Sequence, residues 1–351
     1  KRILEKMKKK MIKVLNILSF IGLVFNGCVN LKNDSENDKS ELMRLLDEDT
    51  AVGIDGYDDE GIVDMEFDNG LESIGMQRVT EDTLRYGEGY RIRFGRQIIS
   101  RERSVEFNID ADTAIGLISY NLTGIFRVLV KDTSNLEIID SMSFSKNFES
   151  LMTRKVKFFK VSDNSNPDGY RWKIAAITPI TGSSGNKVSI SSLNIFSIET
   201  STNDAGENSY NQGELLFSMN SDISGDLYLD RENLPTFNAF QQIMVKVDVE
   251  NIGPEHAIDS LRVGEWVMHR FGRNALQRGR RKLNDRGIAS DSVANDNIHT
   301  AIWRLHGPGF GRDSRVFRSF FNTIDLATIF VENSEYNNVT WSIPYKVTRQ
   351  N

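Results

Sequence analysis

Alternating polar and apolar positions recur along the chain and predict β-strands. The alternation is clear in Tyr90–Phe94 and Ser104–Ile109, and it is most regular in Ile243–Asn251. Successive side chains of an extended chain point to opposite faces, so a period of two is typical of a strand with one buried face. Turn-forming clusters such as Asp163–Gly169 separate these short runs. The pattern predicts an all-β fold built from antiparallel β-sandwiches.

Composition divides this pattern into two strand-rich regions. Residues 65–199 predict a first β-sandwich. Its closing part consists of Trp172–Pro179, a Gly/Ser turn and Val188–Phe196, and this strand–turn–strand pattern is similar to that of galactose-binding-like jelly rolls. Residues 214–351 contain enough short strands for an immunoglobulin-like β-sandwich. Between them, residues 200–213 are polar and lack apolar periodicity, which predicts a linker and a domain boundary.

The N-terminus has the pattern of an export signal. The basic residues Lys8–Lys10 precede an apolar run of about a dozen residues, which ends on a small residue followed by Cys28. Phe25–Cys28 resembles the relaxed lipoprotein boxes of spirochaetes. The resemblance implies that residues 1–27 are a lipoprotein signal peptide and that the thiol of Cys28 is acylated. We therefore expect a surface lipoprotein of the cell envelope, anchored by its lipid at the outer membrane or the cell surface.

Residues 28–64 lie between this signal and the first strands. They are polar and acidic, which predicts a lipidated, flexible tether. Within the tether, Ser40 is placed to cap a short helix over Glu41–Asp47, with Leu42 and Leu46 on one side. The carboxylates that follow lack the spacing of an EF-hand loop, so we expect a solvated acidic segment there.

Composition narrows the classes of function. The chain has 351 residues, a hydrophobic fraction of 39% and a net charge of −6, which provides for packed cores and argues against nucleic acid as a partner. Cys28 is the single cysteine, so a cysteine-ligated zinc site, a CxxC redox motif and a thiol nucleophile are excluded. Neither a GxSxG motif nor a paired-acid motif stands out. We expect a binding protein without a cofactor, and not an enzyme.

A second resemblance concerns the segment 283–301. Immunoglobulin-like modules of bacterial envelope proteins contain the order L-x-D-x-G followed by D-x-V-A-G-D-G-x-Y-T-A. Asn295 and Asn297 replace two of its glycines and His299 replaces its tyrosine. Because Asn is common among the non-Gly residues at positive φ, we expect both turns to be preserved. The resemblance implies the fold and no particular ligand, and it depends on nine retained positions: Leu283, Asp285, Gly287, Asp291, Val293, Ala294, Asp296, Thr300 and Ala301.

Two groups of side chains raise the question of a metal ion. Asp285, Asp291 and Asp296 have the chemistry either for calcium or for turn-forming bonds to the backbone, and we favour the turns. The histidines lack HxH or HxxxH spacing, so we expect exposed or cross-strand histidines and no metal site. They are His256, His269, His299 and His306.

The strongest candidate for function is a basic segment. Residues 262–318 contain twelve basic and five acidic side chains, a local excess of seven positive charges in a chain of −6. Eleven of the twelve are arginines, whose guanidinium groups bind sulfate, phosphate or carboxylate through two parallel hydrogen bonds. We predict a ligand-binding surface on an arginine-rich hairpin formed by Arg270, Arg273, Arg278, Arg280 and Arg281.

Three functions are compatible with these features. The first is a lipid-anchored envelope protein whose hairpin binds an anionic glycan or a protein partner. The second is a structural or assembly lipoprotein of the periplasm or outer membrane that has no external ligand. The third, which we disfavour, is an envelope hydrolase. For the arginines themselves the competing role is pairing with the acidic N-terminal region of the same chain.

Overall fold

A computed structural model gives the architecture of the chain. It describes residues 36–54, 57, 63–67, 90–132, 141–166, 168–202, 208–253, 264–272, 278–288 and 290–349. The chain divides into two compact units, Lys1–Ser40 and Glu41–Asn351. Of the first unit only residues 36–40 are described, as part of a helix, and the second unit holds every other described residue.

Two helices and sixteen strands lie within the described residues. Neither helix is long and apolar enough to cross a membrane. The helices are α1 (Glu36–Glu48) and α2 (Leu326–Phe330). The strands are β1 (Val63–Phe67), β2 (Tyr90–Asp110), β3 (Thr113–Asp132), β4 (Ser141–Ser162), β5 (Tyr170–Ile177), β6 (Ile180–Ser184), β7 (Val188–Thr202), β8 (Asn208–Asn220), β9 (Leu229–Asp230), β10 (Thr236–Asn238), β11 (Gln242–Asn251), β12 (Glu265–Gly272), β13 (Arg278–Leu283), β14 (Ile298–Arg304), β15 (Ser314–Asp325) and β16 (Asn338–Thr348).

The strands form two sheets. The larger has twelve strands, and its main order is β1-β2-β3-β4-β6-β16-β15-β12-β13. The smaller has the order β14-β11-β7-β8. Neighbouring strands are antiparallel, except that β10 pairs with β16 in parallel. The prediction of an all-β, sandwich-like fold built mainly from antiparallel strands is confirmed.

Two apolar cores lie on opposite faces of β12 and β15. Trp266 of β12 and Phe320 of β15 belong to the first core, together with apolar residues of α1 and β2–β6. Their neighbours Val267 and Phe321 belong to the second core, together with residues of the small sheet. Because alternate residues of a strand point to opposite faces, these strands must be apolar on both sides. They are the middle layer of the fold.

The domain organisation differs from the predicted one. Thr181 of β6 pairs with Trp341 of β16, so strands from both predicted sandwiches share one sheet. The predicted linker 200–213 also belongs largely to strands, since Thr200 at the end of β7 pairs with Tyr210 in β8. The reason lies in the position of β8 at an edge of the small sheet, where polar side chains are tolerated and protect the edge.

The predicted tether 28–64 differs as well, because side chains between Leu42 and Ile54, together with Tyr57, form part of the first core. The expected helix is present, although it begins at Glu36 and Ser40 therefore lies inside it. Leu42 and Leu46 of this helix are buried in the first core. Tyr57 is also buried there, and its hydroxyl lies 2.9 Å from the Thr340 hydroxyl of β16. The predicted signal peptide 1–27 and Cys28 lie outside the described residues.

A buried arginine holds the turn that follows α1. Arg154 of β4 donates hydrogen bonds from its Nη1 to the carbonyl oxygens of Ala51 and Val52, at 2.6 and 2.5 Å. Its Nε and Nη2 donate to the carbonyl oxygen of Thr178 at 3.1 and 2.8 Å. Burial lowers the pKa of Arg154 to about 10. Since a buried cation is costly without partners, the three carbonyl oxygens explain how it is accommodated.

Candidate functional site

The arginine-rich segment forms the predicted hairpin of two antiparallel strands. Strand β12 pairs with β13 in antiparallel register, so that Arg270 faces Arg280 and Phe271 faces Gly279. A side chain at position 279 would collide with the ring of Phe271, which explains the glycine between two arginines. The hairpin lies at the end of the large sheet, where β13 is the last strand. We call the pair of strands β12 and β13 the basic hairpin.

The structure separates the predicted site residues by exposure. Arg270 is buried, with 2% of its surface exposed, whereas Arg280 and Arg281 are partly exposed. Arg278 is the first residue of β13, and only its strand position is described. Arg273 lies outside the described residues. Of the five predicted arginines, Arg280 and Arg281 are therefore the two that the structure shows to be partly exposed.

Cross-strand partners share a face, and this rule sorts the basic side chains. Arg270 and Arg280 lie on the face of the first core, next to Phe320 in the adjacent strand β15. Lys282 lies on the same face, with its Nζ 4.3 Å from the centre of the Trp266 ring. Stacking of this kind stabilises a cation on an aromatic ring, which holds one end of β13 against β12.

Arg281 lies on the opposite face, above the small sheet. Its Nε donates a hydrogen bond to the carbonyl oxygen of Ile302 in β14, at 3.0 Å. Arg281 thus bridges the two sheets as well as contributing positive charge. Burial lowers the pKa of the neighbouring His269 well below its usual value, and the charge of Arg281 lowers that pKa further. His269 is accordingly a neutral imidazole at neutral pH.

His269 and Ser319 form a serine–histidine pair that bears on the hydrolase alternative. Its Nε2 lies 2.5 Å from Oγ of Ser319, and its ring stacks on Phe321 with centroids 4.4 Å apart. Both His269 and Ser319 are buried in the core. A catalytic nucleophile must reach its substrate, and Ser319 is buried. The contact between His269 and Ser319 is therefore a hydrogen bond that satisfies two polar groups within the core.

A buried polar network lies at the other end of β12. His299 Nε2 is 2.9 Å from Glu265 Oε1. Asn251 Nδ2 donates to Glu265 Oε2 at 3.2 Å and to Asp325 Oδ1 at 3.1 Å, and Lys187 Nζ lies 3.2 Å from Asp325 Oδ2. Glu265 and Asp325 belong to the large sheet, His299 and Asn251 belong to the small sheet, and Lys187 directly precedes β7 of the small sheet. The network therefore joins the two sheets at the base of the basic hairpin.

Sequence reasoning did not find this network. The signal that could have indicated it is Glu265, a carboxylate directly before the apolar run Trp266–Met268. A charged residue in a strand that is buried on both faces needs a polar partner. A histidine on another strand is one such partner, and His299 has this role here. The partner lies 34 positions away in sequence, and only the pairing of strands brings it close.

The aspartates of the segment 283–301 form turns, as favoured from the sequence. Asp285 Oδ1 and Oδ2 accept the backbone N–H groups of Asp296 and Asn297, at 3.1 and 2.9 Å. Asp291 Oδ2 accepts the N–H of Gly287 at 2.7 Å. Burial raises the pKa of both Asp285 and Asp291, while these backbone hydrogen bonds oppose the rise. Among the described residues, no three His, Cys, Asp or Glu side chains come together as a metal site requires.

The acidic N-terminal region has other partners in the described residues. Asp47 lies 2.6 Å from Nη1 of Arg103, and Asp49 lies 2.6 Å from Nε of Arg231. Both arginines lie outside the basic hairpin. These contacts show where two of the carboxylates are placed, and they attach the start of the second unit to β2 and to the loop after β9.

Comparison with known proteins gives no match to a family model, to a curated protein or to a solved structure. Function is therefore inferred from the chemistry of the chain itself.

Proposed function

We propose that this chain is a cell-envelope binding protein that contacts an anionic glycan or an acidic protein partner through the basic hairpin. The observation that supports this proposal most directly is the position of Arg280, a partly exposed arginine on the last strand of the large sheet. Guanidinium groups on a fixed strand are suited to sulfate or carboxylate groups, because each forms two parallel hydrogen bonds with such an anion.

The hairpin meets a second requirement of a binding surface, which is a rigid base. Strand β12 is buried on both faces, and the Glu265 network fixes one of its ends. Side chains on a rigid strand lose less entropy on binding than side chains on an adaptable loop. Arg270 contributes to this base and not to the contact surface, because its side chain is buried.

Retention on immobilised heparin tests the proposal. We expect the full chain to be retained and to elute as salt rises, because screening weakens contacts between exposed charges. The double change Arg278→Ala and Arg280→Ala is expected to shift elution to lower salt. Arg281 is left in place, since its bond to Ile302 links the two sheets.

Arg171→Ala is the matched control, because it removes an equally charged side chain from the exposed start of β5. It should elute close to the unchanged protein. Failure of the unchanged protein to bind at about 0.15 M salt, or an equal shift for both variants, contradicts a specific role of the hairpin.

The anchor is a proposal of its own. Lipid modification of Cys28 places the chain in the membrane fraction of the cell that makes it, with the binding module outside the bilayer. We expect Cys28→Ala to prevent metabolic incorporation of a labelled fatty acid. Undiminished labelling of this variant contradicts acylation at Cys28, and protection of the unchanged protein from protease added to intact cells contradicts its exposure at the cell surface.

A further inference from the structure

Two turns meet at one end of the second unit. The segment 305–313, which connects β14 to β15, lies beside the turn 239–241 between β10 and β11. Leu305 donates its backbone N–H to the carbonyl oxygen of Gln241 at 2.9 Å. The ring of Phe240 packs directly over the backbone of Gly307. We call residues 305–313 the Phe310 loop.

Two aromatic side chains project from this end into solvent. Phe310 is fully exposed, and Phe240 has 63% of its surface exposed. Phe240 also has a φ of 63°, a left-handed conformation that is costly for an aromatic residue. Gly309 and Gly311, on either side of Phe310, have φ values of 103° and 69°, so the tip depends on glycine. The backbone at Phe240 therefore carries a conformational cost while its ring stays mostly outside the fold.

The base of the Phe310 loop is fixed. His306 Nε2 lies 3.1 Å from the hydroxyl oxygen of Tyr345, which is buried in the second core. The His306 ring also contacts Phe317, with centroids 4.1 Å apart, and reaches Phe271 of β12 at 6.2 Å. Two exposed rings at one end of the fold, above a packed base, have the arrangement of a contact element, because clustered exposed apolar surface marks interaction sites.

Positive charge surrounds the exposed rings. Residues 304–315 include three arginines and one aspartate. Arg304 and Arg312 are exposed on either side of Phe310, and Arg349 Nη2 lies 3.5 Å from the carbonyl oxygen of Gly309. The surface therefore combines apolar rings at its tip with cations around them, which is complementary to a layer of anionic groups that covers an apolar phase.

We propose that the Phe310 loop inserts into the interface of an anionic lipid bilayer. Phe310 enters the acyl boundary, and Arg304 and Arg312 contact headgroup phosphates. A bilayer fits better than a glycan, because the Phe310 side chain is exposed on all sides and can therefore enter an apolar phase, whereas a sugar covers one face of a ring. The proposal concerns a surface other than β13, so it does not depend on the heparin-binding function of the basic hairpin.

Phe310→Trp provides a site-specific test in the full chain. The chain has four tryptophans, and all of them are buried: Trp172, Trp266, Trp303 and Trp341. Because the native tryptophans are buried, a change of emission on adding lipid reports on the tryptophan at position 310. With vesicles containing about 30% anionic lipid, we expect its emission to shift to shorter wavelength and to be quenched by brominated acyl chains. Neutral vesicles and high salt should both reduce the shift.

Ile223→Trp is the matched control. Ile223 is exposed in the turn after β8, near Ser192 of β7, whereas the Phe310 loop adjoins the opposite end of the small sheet. Its emission should not respond to vesicles, even if the N-terminal segment attaches the chain to them. Adding Arg312→Glu to Phe310→Trp should weaken the response to anionic vesicles. Retention of Phe310→Ser on heparin should equal that of the unchanged protein, which separates this surface from the basic hairpin.

Three results would overturn the proposal. The first is equal emission of Phe310→Trp with and without anionic vesicles. The second is a shift caused by heparin oligosaccharides and not by vesicles, which assigns the loop to a glycan. The third is a shift that grows with protein concentration when lipid is absent, which assigns it to a second copy of the chain.

Discussion

Replacing Leu42 by alanine tests whether the segment after residue 40 belongs to the fold. Leu42 lies in α1 and is fully buried in the first core. Removing most of a buried leucine side chain costs about 3 kcal/mol, because transfer free energy is lost and a cavity remains. A flexible tether would show almost no such cost. The change therefore distinguishes an integrated helix from a solvated one.

Urea denaturation of the full chain, followed by tryptophan fluorescence, measures this difference. Trp172 is a suitable reporter, since it lies in the first core and its backbone N–H donates to the Glu41 side chain of α1 at 3.1 Å. With a dependence of about 3 kcal/mol per molar urea, a loss of about 3 kcal/mol lowers the midpoint by about 1 M. We expect this shift for Leu42→Ala.

Met43→Ala is the matched control for Leu42→Ala. Met43 is the next residue of the same helix, and it is exposed. Both changes place alanine in a helix, where it is well tolerated, so they differ mainly in burial. Met43→Ala should change the free energy of unfolding by less than about 0.5 kcal/mol. If both variants have the same midpoint, α1 does not pack in the first core and the reasoning is refuted.

Three further predictions concern single side chains. Arg154→Met leaves the carbonyl oxygens of residues 51–52 without the guanidinium that donates to them. It should lower the free energy of unfolding by about 3 kcal/mol and speed proteolysis in that turn. Unchanged proteolysis contradicts this expectation. Burial lowers the pKa of Lys146 from 10.5 to about 8, so the folded state releases a proton that the unfolded state keeps. Stability should therefore rise between about pH 7.5 and 9.5 in the unchanged protein relative to Lys146→Met, as thermal melts at both pH values can show. Asn297 has a φ of 66°, so Asn297→Ala should cost about 1 kcal/mol in urea denaturation and Asn297→Gly clearly less; equal costs contradict a role of the backbone.

Local features were predictable from the sequence because their causes lie within a few residues. The alternation of Ile243–Asn251 corresponds to strand β11 over Gln242–Asn251. Asn295 and Asn297 were expected to replace glycine at positive φ, and both have a φ of 66°. The turn bonds of Asp285 were likewise expected, since a short acidic side chain beside a turn has backbone donors close at hand.

Features that depend on distant pairing could not be predicted in this way. The predicted domain boundary at residues 200–213 differs from the structure because β7, before it, pairs with β8 and β11, which follow it. Polar composition does not reveal this pairing. Thr328–Val331 is a short apolar run whose composition also suits a strand, yet it lies at the end of helix α2 (Leu326–Phe330) and just beyond it. A short, buried apolar run has the same composition in a helix as in a strand, so periodicity does not separate the two.

The position of the basic hairpin combines both kinds of cause. Its charge is visible in the sequence, but the burial of Arg270 depends on β12 being covered on both faces. Arg270 follows Trp266 and Met268 at intervals of two, so it shares their face and enters the first core with them. The arginine-rich segment is therefore not a uniform basic surface, because one face of β12 directs a guanidinium inward.

Strand β12 also explains how the basic hairpin keeps a fixed position. Glu265 at its start is held by the network that joins the two sheets, and Phe271 near its end contacts His306 at the base of the Phe310 loop. A strand that is held at both ends and packed on both faces restricts its partner β13 through their shared hydrogen bonds. Arg280 is thus presented at a constant place, which lowers the entropy cost of binding. For this reason we place the proposed contact surface on β13 and not on arginines elsewhere in the chain.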